Sequence, residues 1–231
     1  MSASDPSDPP PPREPFFDPR AFEARPVVGL TLAMLAIHAL IVWGGLREGT
    51  PVRCEGSWAY AVDCNFAFIS SRFWSLERLW TAVTYAMLHG SWMHIGFNAV
   101  AFFALGTSAW RLMGTLRFLA FFAATAAASA FLFAALRPAE TVVLVGASGT
   151  VFGLIAAVKR ADYRVLKLQG RNTLPDALKL FAFIVIANVV IGLAPVDASV
   201  GFAGEAVAWE AHIGGFVAGW LIASWCIPRW R

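Results

Sequence analysis

Charge is scarce in this 231-residue chain: Asp, Glu, Lys and Arg make up 14% of it, against roughly 25% in ordinary globular domains. Too few polar residues remain to cover a water-facing surface. The net charge of +3 is small and excludes a nucleic-acid binder without a clustered basic face. Three cysteines cannot make a disulfide scaffold at this length. Cys54 and Cys64 share one loop and are read as two free thiols in preference to a disulfide, and Cys226 as inert core. No HExxH motif occurs, which removes that class of zinc protease. No metal and no cofactor is expected. What fills the chain instead is apolar: 58% by the AVILMFWYC count, with a mean hydropathy of +0.62. That excludes disorder, which needs low hydrophobicity and high net charge. The class is an all-α integral membrane protein, a single bundle with the lipid bilayer as its solvent.

Eight of the thirteen prolines fall within residues 1–26. A helix cannot form there, because each ring blocks a backbone hydrogen bond and constrains the residue before it. The stretch reads as a disordered cytoplasmic tail, leaving 27–231 as the folded domain. It lacks a basic start leading into a short apolar core, and Asp5, Asp8 and Glu14 argue against a signal or transit peptide. Six apolar segments follow, at about 27–46, 92–110, 116–136, 142–158, 178–194 and 209–227. Most approach the ~20 residues that a helix needs to cross a bilayer core. Gly146 and Gly149 interrupt the fourth, so its regular helix is expected to begin near Ser148. Broken backbone at membrane depth requires surrounding protein or a water-filled cavity. Thirteen of the eighteen basic residues fall on the side of the N-terminus, which places that terminus inside. The first outer loop, 47–91, is long and aromatic, and its apolar stripe suggests short helices lying in the interface, with plain interface aromatics as the alternative.

Polar residues at membrane depth are costly and therefore informative. Every Asp and Glu lies in a tail, a loop or a segment end. That excludes an aspartyl intramembrane protease, whose two carboxylates share a proton. It also weakens a proton-relay transporter. His38, His89, His94, Asn98, Ser148, Asn188 and His212 remain at depth. His38 reads as packed or hydrogen-bonded structure, and Asn188 as interhelical glue. His94 and Asn98, at i and i+4, share one helix face. An interhelical hydrogen-bond pair is the plain reading of those two.

Gly146-Ala147-Ser148-Gly149 is a GxSG motif, weak alone because small residues crowd membrane helices for packing. Ser148 would stand at a helix's first turn, where unpaired N–H groups and the positive dipole end stabilise an anion. The base left for a serine nucleophile is His212. Small-residue ridges at Gly149, Gly153, Ala157 and at Ala211, Gly215, Gly219, Ala223 would let the two helices approach closely. At ~1.5 Å per residue, Ser148 sits roughly 17 Å above Lys159 and His212 roughly 25 Å above Arg229, comparable depths.

These motifs resemble the rhomboid family of intramembrane serine proteases. HGSWMHIGFN (89–98) is similar to the family's second-helix histidine motif, GASGTVFGL (146–154) to its serine helix, and AHIGGFVAG (211–219) to its last-helix motif. The resemblance covers about residues 26–228. It implies a six-transmembrane-helix bundle with a long outer loop between the first two helices. It also implies a Ser148–His212 dyad without an acid, and His94 and Asn98 as oxyanion-stabilising side chains beside the Ser148 backbone N–H. His89 matches a histidine of structural role, and Gly219 the glycine one ridge below the catalytic histidine; Gly146, Gly149 and Gly215 lie near the site. Two positions depart from the pattern. Phe152 stands where several members have a tyrosine beneath the histidine, so a ring is kept and a hydroxyl lost. Trp80-Thr81 stands where many have Trp-Arg, which leaves the anchoring of the outer loop open.

The expected activity is hydrolysis of peptide bonds in or near the transmembrane segments of single-pass membrane proteins. The expected place is the bacterial cytoplasmic membrane, N-terminus in the cytoplasm. The rivals are a protease dedicated to one substrate, a non-cleaving rhomboid-like protein that binds or escorts membrane proteins, and a small transporter or channel. The escort forms lose the serine or histidine, whereas Ser148, His212, His94 and Asn98 are all present here.

Overall fold

The computed structural model describes residues 23–45, 58–139, 143–193 and 207–227. The Pro-rich stretch before residue 23 and Cys54 lie outside them, as does the side chain of Asn188. The first long helix, α1 (Arg25–Trp43), carries Pro26 in its first turn, where a missing N–H leaves nothing unsatisfied. A region of short elements follows: α2 (Trp58–Phe66), β1 (Phe68–Ile69), α3 (Ser70–Trp74), α4 (Thr81–Thr84) and a 3₁₀ turn over Tyr85–Met87. Then come α5 (Trp92–Met113), α6 (Thr115–Leu136), β2 (Val143–Leu144), α7 (Ser148–Leu168), α8 (Leu174–Leu193) and α9 (Trp209–Cys226). The chain is mostly helical. Helices α1 and α6 are long and apolar enough to cross a bilayer.

Some boundaries have a clear local cause. Ser91 caps α5 by accepting the N–H of His94 at 3.1 Å, satisfying one of the orphan donors of a first turn. Gly114, with φ +75°, ends α5 and starts α6 without a linker, a conformation that an L side chain resists. Helix α7 runs ten residues past the apolar segment read from the sequence. That part is polar, with Lys159 paired to Asp162 at 3.3 Å one turn apart. Apolar counting finds where a bilayer would end, whereas the backbone continues for as long as its own ladder is favourable.

The interior is aromatic and small-residue: Phe102, Phe118, Phe121, Phe133 and Tyr85 are buried among alanines from α6 and α7. Large apolar side chains also face outward, with Trp43 83% and Leu116 83% exposed. In water such a surface would associate; against lipid it is the expected face.

Two features differ from the sequence reading. An antiparallel pair joins β1 to β2, Phe68 opposite Leu144 and Ile69 opposite Val143, inside a chain read as all-α. Two residues are too short for an alternating pattern to reveal a strand. Cys64 is disulfide-bonded and not a free thiol. Cys226 is free.

Candidate active site

Helices α7 and α9 make the site by touching almost backbone to backbone. A Cβ built on Gly215 would overlap the Gly149 carbonyl, and one on Gly219 would overlap Gly153. Glycine at these places lets the two axes approach far more closely than side chains would permit. Ser148 is the first residue of α7 and His212 lies in the first turn of α9, so the contact brings two helix N-termini together. There His212 Nε2 and Ser148 Oγ stand 2.8 Å apart. Phe152, one turn below Ser148, stacks on the imidazole with ring centroids 4.5 Å apart and planes 16° from parallel. The phenyl ring supplies the flat support, and no hydroxyl is needed for that contact.

The backbone before Ser148 is held by two hydrogen bonds. The Gly146 N–H donates to the Tyr85 carbonyl at 3.1 Å, and the Ala147 N–H points to His89 Nε2 at 3.4 Å. His89 in turn has its carbonyl 3.0 Å from His38 Nδ1 on α1. His38, alone in its helix by sequence, is therefore buried structure that ties α1 to the segment ahead of α5. Gly146 has φ +110°, and a Cβ there would lie 2.6 Å from His94 Nε2. Both facts require glycine.

His94 thus packs directly against the GxSG turn, two residues before Ser148, with its ring 5.2 Å from that of His89. Asn98, buried one turn further along α5, donates from Nδ2 to the His94 carbonyl at 2.9 Å. Its amide has a second N–H to offer. Of the residues singled out in the sequence, Ser148, His212, Phe152, Gly149, Gly215 and Gly219 converge on the α7–α9 contact. Gly146 lies in the turn that leads into it, and His89 and His94 pack against that turn. Asn98 bonds back onto its own helix.

The family model described as Rhomboid domain matches residues 76–229, which includes all of these positions. The chain belongs to the rhomboid family. Among its relatives is rhomboid protease GluP of Bacillus subtilis (strain 168), 28% identical over 148 residues. That match covers 63% of this chain and 25% of GluP, so this chain spans about a quarter of that relative's length. A second, named "Putative rhomboid protease YdcA" and from the same organism, is 25% identical over 204 residues, 88% of this chain and 90% of the relative. The rhomboid family is membrane-embedded, and the apolar helices and outward-facing apolar side chains of this member accord with that.

In this rhomboid member the segment between α1 and α5 is anchored without an arginine at position 81. Thr81 bonds back within its own turn, Oγ1 donating to the Arg78 carbonyl at 2.7 Å. Anchoring comes from elsewhere. Arg78 and Arg72 both donate to the Cys64 carbonyl, at 2.6 and 3.1 Å, and Trp80 Nε1 donates to the Asn65 carbonyl at 3.0 Å.

Sequence reasoning missed one feature of this region. Glu210, counted among acids at segment ends, is buried and pairs with Arg137 at 2.6 Å. The available signal was an acid in the first turn of a helix two residues before a candidate base.

Proposed function

We propose that the protein is an intramembrane serine endopeptidase. It would cut peptide bonds in or near the transmembrane segments of single-pass membrane proteins through a Ser148–His212 dyad. The observation that carries this reading is the 2.8 Å approach of His212 Nε2 to Ser148 Oγ, at hydrogen-bond distance for a base and its nucleophile. In this mechanism the imidazole takes the Oγ proton as the oxygen attacks the scissile carbonyl. It then gives that proton to the leaving amine. A water, deprotonated by the same nitrogen, releases the acyl group from Ser148. Phe152 keeps the ring in plane for each transfer.

The developing oxyanion would be met by the Ser148 N–H at the start of α7, with the helix dipole behind it, and by His94 and Asn98. Preorganised donors of this kind are worth about 3–4 kcal/mol each in serine proteases. A helical peptide hides its carbonyls, so the substrate must unwind locally to reach the serine.

Six of the helices, α1 and α5 to α9, would span the bilayer, with the N-terminus inside and the short elements of 58–87 on the outer side. Two independent features support that orientation: the excess of basic residues on the inner loops, and the disulfide at Cys64, which belongs in an oxidising compartment. A bacterial cytoplasmic membrane fits both.

The deciding experiment incubates purified protein with tagged single-pass substrates and follows cleavage on a gel. Wild-type protein should cut, and Ser148→Ala and His212→Ala should each abolish cutting while leaving the melting curve in place. The double variant should be no worse than either single one, because the two residues act as a unit. Robust cleavage by Ser148→Ala would overturn the mechanism, and a wild-type protein that captures substrates without cutting them would favour an escort role.

A further inference from the structure

Among the described residues, Glu210 is the buried charge that the proposed chemistry does not use. Its side chain is 3% exposed, and Oε1 accepts from Arg137 Nε at 2.6 Å. Its other oxygen, Oε2, has no hydrogen-bond partner. Arg137 is the residue that closes the C-terminus of α6, and its guanidinium lies over the Phe133 ring, 5.5 Å from the centroid. Each charge is placed where its own helix favours it: the cation at the negative end of α6, the anion in the positive first turn of α9.

The pair occupies a particular row of α9. Glu210 and Gly214, four residues apart, both face α6; a Cβ on Gly214 would meet the Ala128 carbonyl at 2.9 Å and Leu132 Cβ at 3.0 Å. His212, Gly215 and Gly219 face α7 instead. Glu210 and His212 are two residues apart and so about 200° around the helix from each other. Helix α9 is therefore held between two neighbours by two different rows.

The glycine contacts in both rows set how closely the helices approach, but smooth small-residue surfaces give little resistance to sliding or rotation. Lipid supplies no hydrophobic drive between helices either. The Arg137–Glu210 pair is directional, and fixing register is the best-attested use of a buried ion pair. We propose that Arg137 and Glu210 are positioning residues that set the height and rotation of α9 against α6, and through it the reach of His212 to Ser148. Neither touches the reacting atoms. The inference rests on the dyad reading above.

The test compares wild type with Glu210→Ala, Glu210→Gln, Arg137→Ala and the Arg137→Ala/Glu210→Ala double variant. Three quantities are measured on each in detergent, at a temperature well below every melting point. They are kcat and KM on a tagged single-pass substrate, the rate at which a fluorophosphonate labels Ser148, and the melting curve. Labelling forms an Oγ–P bond, expels fluoride and sends the serine proton to His212, so it reports the dyad without needing the substrate to enter.

Misplacing a catalytic group by about 1 Å costs up to roughly 100-fold, so Glu210→Ala and Arg137→Ala should each lower kcat and labelling by about 10- to 100-fold, with KM within about twofold. The double variant should be no worse than either single one. Glu210→Gln keeps an oxygen for Arg137 and should recover most of the loss. Wild-type labelling in Glu210→Ala, or losses that follow only the folded fraction, would overturn the positioning role. A wild-type protein that neither labels nor cleaves would instead overturn the dyad on which it rests.

Discussion

At the residue scale, the site separates groups that can do chemistry from groups that hold them. His94 and Asn98 are the pair for which the two roles part. Asn98 gives one N–H to the His94 carbonyl, which by itself describes local helix structure, and it has a second N–H left for a substrate oxygen. If that second donor meets the oxyanion, Asn98→Ala should lower kcat by roughly 100-fold. KM and the melting point should change little, because the donor acts where charge develops and not on the ground-state carbonyl. Initial rates against substrate concentration, beside a melting curve, decide it; normal turnover with a depressed melting point returns Asn98 to structure. Phe152 makes a gentler prediction. Aromatic stacking is worth about 0.5–1.5 kcal/mol, so Phe152→Ala should lower kcat by about 2- to 10-fold, while Phe152→Tyr retains the ring and most of the rate. A Phe152→Ala enzyme at full turnover would show that the imidazole is oriented by other contacts.

At the scale of elements, the proposed dyad depends on how near α7 and α9 come together. The Cβ of Gly215→Ala would overlap the Gly149 carbonyl, so the helices must separate or slip. Overpacking of this kind typically costs about 1–3 kcal/mol. The melting point should fall, and the fluorophosphonate labelling of Ser148 should fall further than the folded fraction does. Gly29, by contrast, has nothing within 4 Å of a built Cβ, so Gly29→Ala should leave both readouts near wild type. Equal effects of the two substitutions would show that helix approach is not what positions the dyad. The helices themselves were legible from apolar runs and small-residue ridges. Glu210 was not, because an acid at a segment end looks the same in sequence whether it meets water or Arg137.

At the scale of the whole molecule, the proposed orientation rests on charge and redox chemistry together. Single cysteines placed at exposed Glu77 and Gln169, in a Cys226→Ser background, test it with an impermeant maleimide on intact cells or spheroplasts. Glu77→Cys should label from outside and Gln169→Cys only after the membrane is opened. Outside labelling at residue 169 would invert the topology. The unaltered chain, unfolded without reductant, should expose one thiol, and three after reduction.

The sequence alone settled the solvent, because 58% apolar residues cannot be hidden in a single core of this size. It also settled the family resemblance, since GxSG and the two histidine motifs are local strings that survive without coordinates. What only tertiary structure decided are the contacts between positions distant in the chain. These are Ser148 against His212, the His38 hold on the His89 carbonyl, the pairing of β1 with the distant β2, and Arg137 against Glu210. Periodicity reports which face of a helix is apolar. It carries no information on which neighbour that face meets, at what height, or whether a charge at its end finds a partner there.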